Sequence, residues 1–504
     1  MVECQPMTPN VTHTMSHQDL GTAEPQEALR HQENPFGSPF SRAVSAVSAA
    51  LLLSVLGLLL WVSATVPPLH RVEEPDRALD LMVGRLMEAQ EELRRFPLWQ
   101  QRLTEWVIGS NEQERLLAIQ WYQELVEMTG DPLSKLKLAI LRAEEGQEQN
   151  VLADIQTWWE LGDPMLRYAQ WLEAAYGSEE ISRDQAAEWQ ETLADTLPDG
   201  WFYRTLATRL AQRSGDEEFL AAIEEQVREQ GYRFQNRLTL LLFIELSCLV
   251  LGSLALATIV RRRKAQPDFL RLADTGVPPP WPTEVGTAVL LRGGALGAVI
   301  TIGFLLAPPG DFLSWRVFAI PLANLPLLVL AYVHLLKPAG LDVWSGFGLR
   351  VNPAHLGRLI VASVAVIGAG LWGEWALGQF WEYLGITNHW TEWFDADLVW
   401  GSGSVLTVSL LEYLVFAPIF EEVAFRGLLF AGLRLKLSFG PAALVSAGVF
   451  AVAHGYGLIG FLSVFWSGVL WAWIYEKTGS LLPGMIAHVA NNLFVSLTVI
   501  ALLR

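Results

Sequence analysis

An all-α, polytopic membrane protein with a water-facing helical insert is the fold this sequence predicts. Three observations lead there. Of 504 residues, 51% are hydrophobic and only 17% charged, against about 25% charged in soluble domains; mean hydropathy is +0.28. Apolar runs recur about nine times, most near the ~20 residues that cross ~30 Å of hydrocarbon. Between the first two runs lies an acidic segment with helical spacing of Leu, Ala and Trp. The 21 Trp residues suit a chain anchored at membrane interfaces.

The same composition excludes other classes. A net charge of −18 opposes nucleic-acid binding. Cys4 and Cys248 cannot build a disulfide framework, and no Cys/His cluster suggests a zinc site. No Gly-rich phosphate loop is present.

Residues 1–42 are polar and aperiodic and are expected to be a disordered cytoplasmic tail. Ala43 to Val66 carries no formal charge, long enough for an anchor. Val62-Ser63-Ala64 could pass as a signal-peptide cleavage site, but the run is long and a polar lead of about forty residues precedes it. Residues 67–236 read as an acidic helical domain. From Arg71 to Asn236 there are 33 Asp+Glu and 17 Lys+Arg, a net −16, so almost all the acidic excess sits here. Turn signals recur at Gly130-Asp131-Pro132, Gly162-Asp163-Pro164 and Pro198-Asp199-Gly200. The spacing fits a helix-turn-helix solenoid, and a plain bundle fits equally well.

Residues 237–264 hold a second span, Leu238 to Val260, stopped by Arg261-Arg262-Arg263-Lys264. Such a cluster marks the cytoplasmic side, which places the acidic domain outside. Seven further spans are expected at 287–307, 317–336, 358–378, 403–423, 440–455, 457–475 and 481–502. Arg292, Lys337, Arg350, Arg358, Arg434, Lys436 and Lys477 then fall on the inner side, with Arg316 the exception. The outer loop 379–400 has Glu382, Glu392, Asp395 and Asp397 and no Lys or Arg. Nine spans put the N-terminus in and the C-terminus out.

Ionisable groups within spans are costly and therefore candidates for function. Glu421-Glu422 and Arg426 end a long apolar run. On a helix Glu422 and Arg426 are i,i+4 and share a face. Glu421 points about 100° away, freer to act as a base. His454 closes an uncharged stretch, one turn after Phe450; His488 and Asn492 are i,i+4 on the last span. Glu245, Glu374, Glu412 and His334 stand alone and read as neutral acids, interhelical donors or snorkelling groups. Trp372, Trp375, Trp381, Trp466, Trp471 and Trp473 read as interface anchors or packing.

These three motifs, EExxxR, FxxxH and HxxxN, in this order on neighbouring apolar segments, resemble the CPBP family of intramembrane proteases. That family includes the type 2 CAAX prenyl endopeptidases and bacteriocin-processing or immunity proteins. The resemblance covers roughly 400–502, and the family's membrane body plausibly begins near residue 285, giving a domain over 285–504. It implies a helical membrane fold whose active site opens toward the cytosol. It places the water-activating glutamate on Glu421, its partner on His454, and oxyanion donors on His488 and Asn492. Glu422 and Arg426 take the motif's structural and electrostatic positions. The residues agree with those roles: hydrolysis needs a base, a proton donor and a preorganised oxyanion site. No Ser or Cys lies beside a base in the motifs, which disfavours a covalent route. No cofactor is expected by this route. A zinc ion on Glu421, His454 and His488 is the rival mechanism, although no HExxH is present.

The function expected is an intramembrane endopeptidase acting by glutamate-activated water. Its expected partners are membrane lipid and a membrane-associated protein or peptide, of which a C-terminally prenylated CAAX-type chain is one kind. A bacterial inner or plasma membrane is the expected location. Two other classes compete. One is a non-enzymatic receptor or assembly factor whose outer domain binds a protein partner. The other is a transporter with a Glu/His proton relay, for which inverted repeats are not evident.

Overall fold

The computed structural model describes residues 36, 40–108, 111–178, 181–274, 276–306 and 313–504. The tail expected over 1–42 lies outside the described residues, apart from 36 and 40–42. Among the described residues the chain is helical, with no strand.

Apolar helix α1 (Arg42–Thr65) leads into α2 (Pro75–Arg94), α3 (Leu98–Ile108), α4 (Asn111–Thr129), α5 (Pro132–Arg142), α6 (Glu148–Ile155), α7 (Met165–Tyr176), α8 (Arg183–Thr196) and α9 (Trp201–Ser214). The turn signals act as caps: Asp131 accepts from Ser134 N at 2.7 Å, with Pro132 at the first helical position, where its missing N–H costs nothing. α2 packs on α9 as well as α4, and α5 reaches both α7 and α9. In a solenoid each repeat touches only its neighbours. These helices instead close into a bundle, around Leu79, Tyr122, Leu136, Ile140, Trp171 and Leu206.

The bundle does not end where the acidic segment ends. α10 (Glu217–Ala265) is one helix of 49 residues, about 74 Å long. It starts in the domain, where Asp216 caps it through Phe219 N at 3.0 Å. Its membrane portion is Asn236–Ala265, ending in Arg262, Arg263 and Lys264, which suit the negative end of the helix dipole. Span and domain are therefore one rod.

The membrane body continues with α11 (Thr283–Leu305), α12 (Arg316–Leu336), α13 (Pro353–Leu384), α14 (Gly403–Leu433), α15 (Phe439–Ala453), α16 (Leu458–Thr478) and α17 (Leu482–Leu503). Eight of the described helices are long and apolar enough to cross a membrane, rather than nine. The expected span 440–455 is α15, with 15 residues, only about 22 Å. It stops because the chain turns at Gly455, whose φ of +67° is left-handed. The turn that follows is met by Glu392, whose Oε1 accepts from Gly457 N at 3.2 Å. The shortfall of α15 thus places its polar end inside the protein.

Glu392 belongs to the loop 385–402, which packs against the acidic domain. Trp390, Leu398 and Val399 share the domain's core with Val499 and Leu503 of α17. His389 lies 3.3 Å from Glu124 and edge-on to Trp121. Trp375 Nε1 donates to Trp106 O at 3.0 Å. One face of the membrane body therefore carries the domain. The opposite face carries Arg261–Lys264, with Leu272 N bonded to Thr478 O at the end of α16 (2.9 Å).

Close approach of α10 and α13 rests on Gly252 and Gly368: a Cβ at either would collide with the other's backbone. Small residues serve this purpose where lipid supplies no hydrophobic drive. Gly252→Val should destabilise the purified chain by about 1–3 kcal/mol. Gly57→Val, with nothing within 4 Å, should leave its thermal midpoint unchanged.

Burial holds His389 below its ordinary range, against the opposing pull of Glu124. The folded chain then binds this proton more weakly than the unfolded one. Its contribution is full above about pH 6.5 and lost as pH falls through the lowered value. Thermal midpoints measured from about pH 7 to about pH 5 should fall less steeply in His389→Gln than in the native chain.

Candidate active site

α14 is not a regular helix. Pro418 has no N–H for Leu414 O, and its ring crowds that carbonyl. The chain answers with a wide, π-type stretch over Glu412–Phe416. A second runs over Glu422–Phe430. Such bulges cost helical bonds and concentrate at functional sites. Between them sits Glu421, with Glu422 opening the second.

Glu422 is 1% exposed, and its Oε1 accepts from Arg426 Nη1 at 2.9 Å, both side chains being sealed. The i,i+4 pair read from the sequence is therefore formed, in a place where an unpaired charge would be prohibitive. The same oxygen lies 3.2 Å from His488 Nδ1. His488 Nε2 faces Glu421 Oε2 at 3.8 Å. One imidazole from α17 thus stands between both carboxylates of α14. Gly484, one turn earlier on α17, makes room: a Cβ there would lie 3.3 Å from Glu422 Oε2.

Aromatic rings hold this group in place. Trp471 of α16 stacks on His488, centroids 4.2 Å apart at 22°. The Arg426 guanidinium lies over Phe450 at 4.0 Å and Trp471 at 4.8 Å, a cation–π arrangement that helps replace lost water. Phe450 also meets His454 edge-on at 4.6 Å. Trp471 is therefore part of the site and not an interface anchor. Nothing in the sequence separates it from the other tryptophans of the spans.

The charge balance is informative. Two carboxylates and one guanidinium leave one negative charge. A proton on Glu421 or His488 cancels it. With Nδ1–H donated to Glu422, a neutral His488 would aim a lone pair at Glu421. Glu421 Oε2, Glu422 Oε2, Arg426 Nε and Arg426 Nη2 are buried with no hydrogen-bond partner among the described residues. They present acceptors and donors to whatever small polar group enters.

His454 caps α15. Its Nδ1 lies 2.8 Å from Phe450 O, and a carbonyl only accepts, so Nδ1 carries the hydrogen. The neutral ring then leaves a lone pair on Nε2. It makes no ion pair within 4.0 Å of Glu421, but that carboxylate does act on it electrostatically. Asn492 stands further off. Its Nδ2 donates to Tyr413 O at 2.9 Å, a carbonyl released by the wide turn of Glu412–Phe416. One of its two N–H donors is thereby spent on tying α17 to α14. The structure brings Glu421, Glu422, Arg426 and His488 into direct contact, and sets His454 and Asn492 on the margin.

For the zinc alternative, the ligands would have to converge. Among the described residues no group of three or more His, Cys, Asp or Glu side chains could hold a metal ion. Glu421, His454 and His488 do not form such a group in this conformation.

Other embedded charges resolve differently from expectation. Glu412 is not a lone neutral acid: its Oε2 accepts from Arg316 Nη2 at 2.9 Å. Arg316 also binds Asp397 at 2.6 Å, which explains a cation on the outer side. His334 packs its ring against Phe40 at 4.7 Å.

Comparison with known families agrees with this location. Residues 403–494 match the family model described as Type II CAAX prenyl endopeptidase Rce1-like. The stretch takes in α14, α15, α16 and α17 as far as Phe494, hence all seven motif residues. The protein is an integral multi-pass membrane protein bearing an Rce1-like protease-family domain over those residues, in line with the CPBP resemblance of its motifs. No curated protein and no solved structure matches the chain.

The pairing makes a sharp contrast between the two glutamates. Arg426→Gln leaves Glu422 charged and enclosed, and should cost about 3–5 kcal/mol in unfolding experiments on the solubilised chain. Glu421, 31% exposed at its side chain, should tolerate Gln with less than about 1 kcal/mol of change.

Proposed function

We propose that the chain is an intramembrane endopeptidase. It hydrolyses a peptide bond of a membrane-associated protein or peptide, including one with a C-terminal prenylated CAAX-type motif, using water activated by glutamate. The observation that carries this reading is His488 set between Glu421 and Glu422, with Arg426 beneath, inside the segment matching a CAAX endopeptidase family.

In this reading Glu421 takes a proton from water as its oxygen attacks the carbonyl carbon. Glu422 stays ionised against Arg426 and keeps the His488 Nδ1–H pointed inward. His488, protonated, faces the developing oxyanion, where a preorganised donor is worth most. Asn492 offers its second N–H to the same oxygen. His454, with a lone pair on Nε2, relays the proton from Glu421 to the departing nitrogen. The C–N bond breaks, giving a carboxylic acid and an amine; the acid proton passes to the amine, leaving carboxylate and ammonium, and the enzyme recovers its starting charge.

Glu421 lies past the middle of α14 and His488 in the second turn of α17, both nearer the face of Arg261–Lys264. That supports an opening on the cytosolic side.

Comparative proteomics of membranes holding the native chain or Glu421→Gln tests the reading. A product should accumulate only with the native chain, its rate of formation falling at least about 10²-fold in the variant. Identical product patterns would end the proposal in favour of a receptor role. Purified protein should also keep its activity after exhaustive dialysis against a zinc chelator; a loss restored by zinc would overturn the glutamate route.

A further inference from the structure

Away from this site, a cavity of about 710 Å³ lies between the acidic domain, the part of α10 where its membrane portion begins, and the end of α17. Its size is that of a small-molecule site, roughly 300–1,000 Å³. Its charge is opposite to that of its surroundings. Four cationic side chains of the segment of net −16, Arg77, Arg85, Lys137 and Arg204, line it together with Arg237 and Arg504 from outside that segment. Three side-chain carboxylates do so, Asp80, Glu88 and Asp199.

Those carboxylates are already used. Lys137 pairs with Asp80 at 2.8 Å, Arg85 with Glu88 at 2.8 Å, and Arg204 with Glu88 and Asp199. Arg77 pairs with Glu74 and lies over the Trp400 ring at 4.5 Å. Arg237 and Arg504 have no carboxylate partner among the described residues. Arg237 donates to Ala501 O at 3.4 Å. Arg504 donates to Leu398 O at 3.2 Å and Gly401 O at 3.0 Å. Carbonyls hold these guanidinium groups in place without neutralising them.

Position narrows the ligand. Arg237 begins the membrane portion of α10, and Arg504 follows the last turn of α17. Both stand at span ends, on the face opposite Arg261–Lys264. Trp400 and Leu502 add apolar wall beside them. A planar guanidinium matches phosphate oxygens in paired hydrogen bonds. An apolar rim at the same depth suits glycerol and the first methylenes of a lipid.

We propose that this cavity binds the phosphate group of an anionic phospholipid headgroup, with Arg237 and Arg504 as its principal contacts. The lipid would seat the acidic domain on the membrane body at a point the protease reading does not involve.

The test uses the full-length chain, delipidated in neutral detergent. Binding is followed by native mass spectrometry and by thermal shift with phosphatidylglycerol, phosphatidylcholine or glycerol phosphate. Phosphatidylglycerol should bind best. The double variant Arg237→Gln/Arg504→Gln should lose about thirtyfold in affinity, as two basic groups at a lipid surface imply. Arg228→Gln, paired with Glu225 and outside the cavity lining, should lose nothing. If the double variant fails to fold, Arg237→Lys against Arg237→Gln decides, with lysine retaining more of the affinity. Glycerol phosphate binding as tightly as the lipid would assign the site to a soluble phosphate ester and overturn the lipid reading. An acidic peptide outcompeting phosphatidylglycerol, or binding unchanged in the double variant, would overturn it as well.

Discussion

A carboxylate sealed from water governs this molecule. Glu422 is 1% exposed in the middle of a membrane protein, and such a charge persists only with a partner and hydrogen bonds. Arg426 supplies the charge from one turn along the same helix. His488 supplies the second contact from α17, and Trp471 with Phe450 covers the guanidinium and the imidazole. Four elements must therefore meet before α14 can be stable, and once they meet Glu421 has little freedom in where it points. Stability and chemistry share one arrangement: the pair that keeps the fold together is what leaves its neighbour available.

The acidic domain is tied to this arrangement by a continuous set of contacts. Its core takes in Trp390 and Leu398 of the loop 385–402. From that loop Asp395 accepts from the Tyr413 hydroxyl at 2.5 Å, and Tyr413 O accepts from Asn492. Glu392 from the same loop holds Gly457, three residues past His454. Arg316 fastens Asp397 to Glu412 in the first wide turn of α14. The loop that packs on the domain is thus hydrogen-bonded to residues beside both His454 and Asn492.

Irregular helices do much of the positioning. The wide turns of α14 release carbonyls that a regular helix would consume, and Asn492 uses one of them. α15 falls short of a full crossing, so its terminal His454 faces protein instead of lipid headgroups. These departures from ideal geometry cost helical hydrogen bonds; of the four wide turns among the described residues, two lie in the segment that carries the motifs, and the others are at Ala143–Gln147 and Tyr332–Leu336.

Much was legible before any coordinates. Apolar runs and loop charges define a helical membrane protein, because hydrocarbon forces every backbone group to pair within its own helix. The i,i+4 spacing of Glu422 and Arg426, and the isolated polar residues in the last spans, mark the site, because such groups have no cheap place in lipid. Tertiary structure decided the remainder. Whether α2 to α9 stack or close depends on which faces meet, and a local pattern of turns is the same in both. Only assembly reveals that Glu412 answers Arg316, that Trp471 stacks on His488 while its fellow tryptophans do not, and that Asn492 spends a donor on Tyr413. Each joins residues far apart in the chain, and spacing along a sequence carries no information about distance across a fold.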